Sequence, residues 1–539
     1  MDFVINIKQK VLQALQKIGV SLKLEDIVIE TSKDPLHGEY ATNVAMQLAR
    51  TLKTAPQTIA EKIVANLDPD VFSKVEIAGP GFINFFMKPE DLSDIIQKII
   101  HAGKKYGSSD IGKGQTVNVE FVSANPTGAL HLGHARGAAL GDVIARLLQK
   151  AGFKVTKEFY VNDAGAQIDN LGKSIYARYL QAFDVSSDLP KDGYYGADII
   201  EIAQSIKEEV GAKYVSSYDE AFFKAQGIKR ELQRIRMDLE YFRVNFDVYS
   251  HETSIRTTDK IKRVFEKLGP YVYQQNGATF LKTSTFGDDK DRVVIKSDGS
   301  YTYFLPDIVY HLDKAERNHR YLIDILGADH HGYISRMQAA LSMLGFPSDT
   351  LTVEILQMVR LIKDGQELKM SKRTGVGVTL RELCDEVGVD ATRYFFVARA
   401  ASSHLDFDMD LAVTTSNANP VYYAQYAHAR LSSLLSAGAD IGIDEAGIGL
   451  STDEEKLLLR HLASFGSEIS DAAISKAPYK ITNYVQKLAT LTHSFYTICR
   501  VVDKENISLS QARLGLVKAS QIVLANALEL LGVSAPTRM

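Results

Sequence analysis

The stretch that limits the folding of this chain most tightly is QTVNVEFVSANPTGALHLGH with the fifty residues around it. Val117, Val119 and Phe121 alternate with Asn118 and Glu120, the two-residue period of a strand. Pro126 and Gly128 force a loop. From about Ala129 the chain turns helical, with Leu140, Val143, Ile144, Leu147 and Leu148 on one stripe and Gly152 as C-cap. A second strand, KVTKEFYV, follows. Strand, helix and strand in this order form a β-α-β unit with parallel strands and a right-handed crossover. An α/β sheet is the expected scaffold, and such sheets take ligands beyond the carboxyl ends of their strands.

The rest of the 539 residues is organised around that unit. Residues 1–106 open with an amphipathic helix (Phe3, Val11, Leu15, Ile18) and later show VEIAGPGFINFFM, strand-like but broken at Gly79, Pro80 and Gly81, which predicts a small α+β domain. The turn-rich run Gly107–Gly114 marks a boundary. Residues 107–405 carry the sheet, with a helical, polar insertion at about 170–300 that ends in strand-like segments. RYLIDILGADHHGY, a helix to about Leu344 and LTVEILQMV resume the sheet. Beyond about residue 400 strand signals vanish. Ile481, Val485, Leu488, Leu491, Phe495 and Ile498 keep helical spacing and a further helix runs from Ser510 to Gly532, so residues 406–539 read as a helical bundle.

Composition narrows the function. The net charge is -4, so any nucleic-acid partner must be held by local patches. The two cysteines, Cys384 and Cys499, lie far apart and outside any C-x-x-C pair, which argues against a disulfide framework or a zinc cluster; no metal site is expected. Charges interrupt the N-terminal apolar positions, unlike a secretory signal, and no run approaches the roughly 18 apolar residues of a membrane span. A cytoplasmic protein with no membrane partner is the expectation.

Two stretches carry phosphate chemistry. His131 and His134, three apart in a helical first turn, project to one face, and Gly133 leaves room for a flat ring against the backbone. They sit where strand gives way to helix, so free backbone N–H groups and the helix dipole favour anions there, with Thr127 and Gly128 in the loop before them. The second is Lys369-Met370-Ser371-Lys372-Arg373-Thr374-Gly375, after a hairpin turn at Lys363-Asp364-Gly365. Its cations and hydroxyls can close over a polyphosphate. A solvated basic loop or an ordinary helix start would look like either one alone; both together on one sheet point to a nucleotide site.

This pair resembles the HIGH and KMSKS motifs of class I aminoacyl-tRNA synthetases. EFVSANPTGALHLGHARGAALGD, YVNDAGAQI, GADHHGY, ELKMSKRTG and NPVYYAQYAHAR are together similar to the arginyl-tRNA synthetases of bacterial type. The HIGH site reads His-Leu-Gly-His, an apolar change at its second position, and both KMSKS lysines are present. The resemblance implies a Rossmann-like catalytic domain, an N-terminal domain that touches the tRNA elbow and an all-α anticodon-binding domain. It also implies ATP with Mg²⁺, activation of L-arginine to the adenylate once tRNA(Arg) is bound, and transfer to the 2′-hydroxyl of the terminal adenosine. The family's members are mostly monomers, and a monomer is expected.

A guanidinium is a planar fork of donors, so its pocket needs carboxylates. Glu120 and Asp307 are the candidates, Asp307 one helical turn after Tyr303. By resemblance Glu120, Tyr303 and Asp307 fall at the side-chain pocket and Ser123 and Asn125 at the substrate's backbone end. His131, His134, Lys369 and Lys372 would act on the phosphates, and Thr127, Gly128, Gly133, Met370 and Ser371 would line the ATP site. Asp329-His330-His331 is taken as a nucleotide-side loop rather than a metal site. For tRNA, Tyr422, Tyr423 and Tyr426 beside His428 and Arg430 could stack on splayed bases; Phe82 and Asn84 are the elbow candidates. A synthetase for lysine would share both phosphate motifs and differ in the pocket acids. A small-molecule adenylyltransferase would need no anticodon module, and an inactive RNA-binding paralogue would need no intact phosphate motifs.

Overall fold

In a computed structural model the chain is described except for residues 1–2, 32–37, 39, 69–70, 87–88 and 369–377 and the side chains of 3, 5, 31, 89–93 and 329–331. Five parallel strands form the main sheet, in the spatial order Leu351–Leu356, Tyr321–Gly327, Thr116–Glu120, Lys154–Val161, Val248–His251. The chain starts in the middle, winds outward one way, then returns to the other side of the first strand. The sheet therefore has a switch point between Thr116–Glu120 and Tyr321–Gly327, where a doubly wound sheet opens a crevice.

The expected β-α-β unit forms as Thr116–Glu120, the helix Leu132–Lys150 and Lys154–Val161. The helix begins three residues later than its apolar spacing suggested, because His131 caps it, and it stops at Ala151 with Gly152 just beyond in a left-handed conformation. The first strand is buried on both faces: Val117 and Val119 on one, Asn118 and Glu120 on the other. Alternation here separates an apolar layer from a buried polar layer, and not core from solvent.

Three helices, Ala166–Gln181, Ala197–Val210 and Glu220–Tyr241, pack around Tyr179, Ile175, Ile199 and Phe223. The chain then returns to the main sheet as Val248–His251 before a second excursion, the antiparallel sheet Val272–Gln275, Ala278–Leu281 and Arg292–Ile295. The region 170–300 is thus two excursions separated by a strand of the main sheet, which four residues of weak pattern did not reveal.

Strand signal also persists past residue 400. Leu405–Asp408 pairs parallel with Val359–Lys363, whose hairpin turn at Asp364 and Gly365, both with positive φ, leads to Gln366–Glu367. Its alternation is a single pair, Leu405 and Phe407, too short to stand out. Helices from Pro420 onward make the bundle, and Gly532 caps Ile507–Leu531 in the left-handed conformation. That last helix is long and apolar enough to cross a membrane by length and composition alone, but most of it is buried in the bundle as a core helix. The N-terminal domain is a four-stranded antiparallel sheet, ordered Glu30–Thr31, Tyr40–Thr42, Phe82–Phe86, Lys74–Ala78, covered by helices that bury Val44, Leu48, Ile59 and Ile63.

The domains meet on the helix Leu132–Lys150. Its buried Asp142 accepts from Arg393 at 2.6 Å and Arg146 at 2.7 Å, with Lys157 at 3.3 Å, and these cations hold its carboxyl below the usual range despite burial. Arg393 in turn donates to Leu531 O and Phe242 O, tying the bundle's last helix to Leu132–Lys150.

Candidate active site

At the switch point lies a cleft of about 970 Å³, lined among others by Glu120, Ser123, His131, His134, Asp307 and Asp324. Gly133 and Tyr303 also line it, so the structure gathers seven sequence-predicted residues in one place. Asn125, Thr127 and Gly128 lie in the adjoining loop and do not line it; the Asn125 amide instead donates to Gln167 Oε1 at 2.5 Å. Lys369, Met370, Ser371 and Lys372 fall outside the described residues, and the side chains of Asp329, His330 and His331 do too.

The loop that opens the cleft is strained. Ser123 N donates to Phe121 O at 3.0 Å, and Val122 between them has φ of 69°. That is a γ-turn of the rare positive-φ kind, at a β-branched residue, and Ser123 follows with φ of 43°. Such conformations persist where the surroundings over-determine them. Here Ser123 Oγ donates to Glu120 Oε1 at 2.9 Å and accepts from Tyr160 N at 3.2 Å, which turns the chain sharply and keeps the end of the strand open to the cleft.

His131 caps the catalytic helix, its Nδ1 accepting from Gly133 N at 3.1 Å. The ring folds back over Gly133, where a Cβ would meet His131 Cε1 at 3.1 Å, and it stacks on His134 with centroids 3.7 Å apart. Burial, with His131 close by, pulls His134 down to about 3, so the ring is neutral near pH 7. The helix start is also tied to the segment that follows residues 369–377: Leu380 N donates to Leu130 O at 2.8 Å, and His131 and Thr379 form a β-bridge.

The acids of the cleft are not equivalent. Glu120 and Asp324 are register partners on neighbouring strands, and Lys314 Nζ sits 2.7 Å from a carboxylate oxygen of each. His311 Nε2 adds a 2.7 Å contact to Asp324, whose carboxyl is held down by Lys314 and His311. Below them Glu158 accepts from Asn118, Ser250, Tyr310 and Arg317. Asp307 stands apart. Its side chain has no hydrogen bond or ion pair among the described residues, and burial, helped by the nearby Glu120 and Glu252 and only partly offset by His311 and Arg256, raises its carboxyl to about 7. Asp307 N donates to Tyr303 O at 3.3 Å, the expected helical turn, and Tyr303 stands 81 % exposed at the rim.

Sequence reasoning missed Lys314, His311 and Asp324. A signal was present. Asp307, His311 and Lys314 are spaced i, i+4, i+7 on one helix, Phe304–Glu316, and Asp324 is an acid inside the apolar strand YLIDILG.

In the bundle, Tyr422 and Tyr426 stack with centroids 6.1 Å apart, and His493 packs on Tyr423 at 4.5 Å and on Tyr426 at 5.8 Å. Arg430 lies over the Tyr496 ring, 5.3 Å from its centroid. His428 does not join this row: it is buried, its Nδ1 2.8 Å from Pro536 O. His493, from a different helix, takes its place. Phe82 is half-buried at a hairpin end, whereas Asn84 is 4 % exposed between Ala41 and Glu76, with little surface for a partner.

Three family models cover the chain. The arginyl tRNA synthetase N terminal domain matches residues 6–87, the class I (R) tRNA synthetase catalytic domain matches 95–432, and the DALR anticodon binding domain matches 424–539. The chain is 52% identical over 546 residues to the arginine–tRNA ligase of Bacillus licheniformis, covering 99% of this chain and 98% of that protein. It is 50% identical to the arginine–tRNA ligase of Bacillus subtilis over the same shares. Its fold matches the Thermus thermophilus arginyl-tRNA synthetase structure with a TM-score of 0.80 at 20% identity, over 99% of both chains.

Proposed function

The chain belongs to the arginyl-tRNA synthetases of class I, and on that premise we propose that it ligates L-arginine to tRNA(Arg) using ATP. The first step is attack of the arginine carboxylate on the α-phosphate of ATP, which forms arginyl-adenylate and releases pyrophosphate. No protein nucleophile is needed; the protein positions the two substrates and stabilises charge developing on the phosphates. In the second step the 2′-hydroxyl of the terminal adenosine takes the arginyl group and AMP leaves. ATP is used as its Mg²⁺ complex, and the cation offsets charge on the phosphates.

The observation that carries the arginine reading is the unpaired, half-buried Asp307 in a cleft whose other acids are already matched. An acid that burial holds near neutrality is ready for a cation that brings its own donors, and a guanidinium brings a planar fork of them. Glu120, locked by Lys314, keeps a second set of acceptors in place, and Ser123 and Asn125 serve the substrate's backbone end. His131, His134, Lys369 and Lys372 act on the phosphates, with Thr127, Gly128, Gly133, Met370 and Ser371 around the nucleotide. Tyr422, Tyr426 and Arg430 face the anticodon and Phe82 the elbow, while Asn84 supports the sheet beneath Phe82. We assign residues 1–106 to elbow binding, 107–405 to catalysis and 406–539 to the anticodon, in a monomer acting in the cytoplasm.

Pyrophosphate exchange with each of the twenty amino acids, with and without tRNA, tests this reading. Arginine alone should support exchange. Preference for lysine would overturn it.

A further inference from the structure

Arg136 lies two residues beyond His134 on the catalytic helix and is fully buried. None of its described partners is a carboxylate. Its guanidinium donates to three backbone carbonyls: Gln357 O at 2.8 Å, Ser403 O at 2.9 Å and Ala400 O at 2.9 Å. Buried charges are as a rule paired with opposite charge. Without such a partner, burial draws this guanidinium down to about 10. A methionine or leucine would fill the volume without that penalty, so the donor geometry itself must matter.

What it grips is the cleft wall. Leu356, Gln357 and Met358 line the same cleft as His131 and His134. They connect Leu351–Leu356 to Val359–Lys363, the strand that precedes the hairpin turn at Asp364 and Gly365. The wall and the loop 400–403 are themselves stitched together, Gln357 N to Ala401 O at 3.0 Å and Leu405 N to Met358 O at 3.3 Å. Arg136 is the side chain that clamps this stitched pair to the histidine-bearing turn. A guanidinium is suited to this, since its fork reaches separate acceptors in one fixed plane.

We propose that Arg136 is a positioning residue for adenylate formation, setting the distance between the His131–His134 turn and the cleft wall Leu356–Met358. The proposal rests on the ligase reading above. The arginine pocket is built from Glu120 and the helix Phe304–Glu316, which Arg136 does not touch. Its loss should therefore act on the nucleotide side and spare the amino acid.

The test uses full-length Arg136→Ala and Arg136→Lys with active-site titration. Misplacing catalytic groups by about 1 Å costs on the order of 10²-fold, so Arg136→Ala should lose that much in exchange rate per titrated site. KM for ATP should rise as well, and KM for arginine should stay within about twofold, the pattern of a rate loss accompanied by weakened binding of one substrate only. Millimolar guanidinium should restore part of the rate, and Arg136→Lys, able to reach some of the carbonyls, should fall between. Should the alanine variant fail to fold, the lysine variant alone decides the point: hydrogen exchange at the Gln357 and Leu405 amides should quicken while Tm holds. Unchanged rate and KM per titrated site, or equal rises in both KM values, would overturn the proposal. A wild-type protein that fails to use arginine would sink the ligase reading instead and leave the hydrogen-exchange result to judge Arg136.

Discussion

Lys314 Nζ lies 2.7 Å from Oε2 of Glu120, with the lysine wholly buried. This pair occupies the switch point of the sheet and decides the character of the pocket, because it neutralises one acid where the next strand's Asp324 shares the same cation. The remaining acid, Asp307, is free to meet substrate.

Asp307→Asn should therefore weaken arginine far more than ATP. A pocket built to pair specific donors rejects poorly matched partners by about 10⁴-fold or more, and loss of the charged acceptor should lower kcat/KM for arginine by roughly 10³-fold. KM for ATP should move little. Glu120→Gln should behave differently, lowering stability as well, since removing one partner of a buried ion pair costs about 3–5 kcal/mol, an upper bound here because Asp324 stays beside Lys314. Denaturant unfolding and steady-state kinetics on both variants separate the two effects.

The pH profile has a defined sign. Asp307 is raised to about 7, so in the free protein it is protonated below that pH and gives a guanidinium no charge to pair with. The kcat/KM for arginine, which reports groups in the free enzyme, should fall as pH drops through about 7. His134, already lowered to about 3, adds no inflection between pH 5 and 8. A flat wild-type profile between pH 6 and 8 would remove Asp307 from this role.

Gly141→Ala should disturb the site from behind. A Cβ there would come within 2.2 Å of the Phe121 ring, against the strand end that carries Glu120 and the strained Val122. Overpacking of this kind costs about 1–3 kcal/mol. A lowered Tm together with a raised KM for arginine is the expected pair of results.

Lys372→Ala should slow adenylate formation by 10²-fold or more, as expected for a group that stabilises transition-state charge, which is worth about 10²–10³ in rate. Binding of tRNA, followed by filter retention or fluorescence, should change little. Equal loss of both would contradict the phosphate role.

Removal of single rings from the aromatic row should act on tRNA alone. Base stacking on an aromatic side chain is worth about 1–3 kcal/mol, so Tyr426→Ala and His493→Ala should each raise KM for tRNA by roughly 5- to 150-fold. Stability should hold for Tyr426, which is 37 % exposed. Loss of His493 with no change in tRNA affinity would return that ring to a packing role.

Periodicity and punctuation are local properties, and they carried far. The β-α-β unit, the hairpin turn at Asp364-Gly365, the Gly532 cap and the helical turn from Tyr303 to Asp307 were all legible in residue order. Short elements were not. Val248–His251 and Leu405–Asp408 become strands because a neighbouring strand supplies their hydrogen bonds, and four residues hold too little pattern to announce it.

The same division runs through the site. Residue order marked His131 and His134 by type and spacing at a helix start, and it offered Glu120 and Asp307 as candidates that the family resemblance then singled out. Which carboxylate is free could not be read that way. That depends on Lys314 reaching across from another helix to lie between Glu120 and Asp324, and on the depth at which Asp307 is buried. Charge balance in a low-dielectric cleft is set by distances of a few ångströms between segments about 200 residues apart, and those distances exist only once the sheet has closed around its switch point.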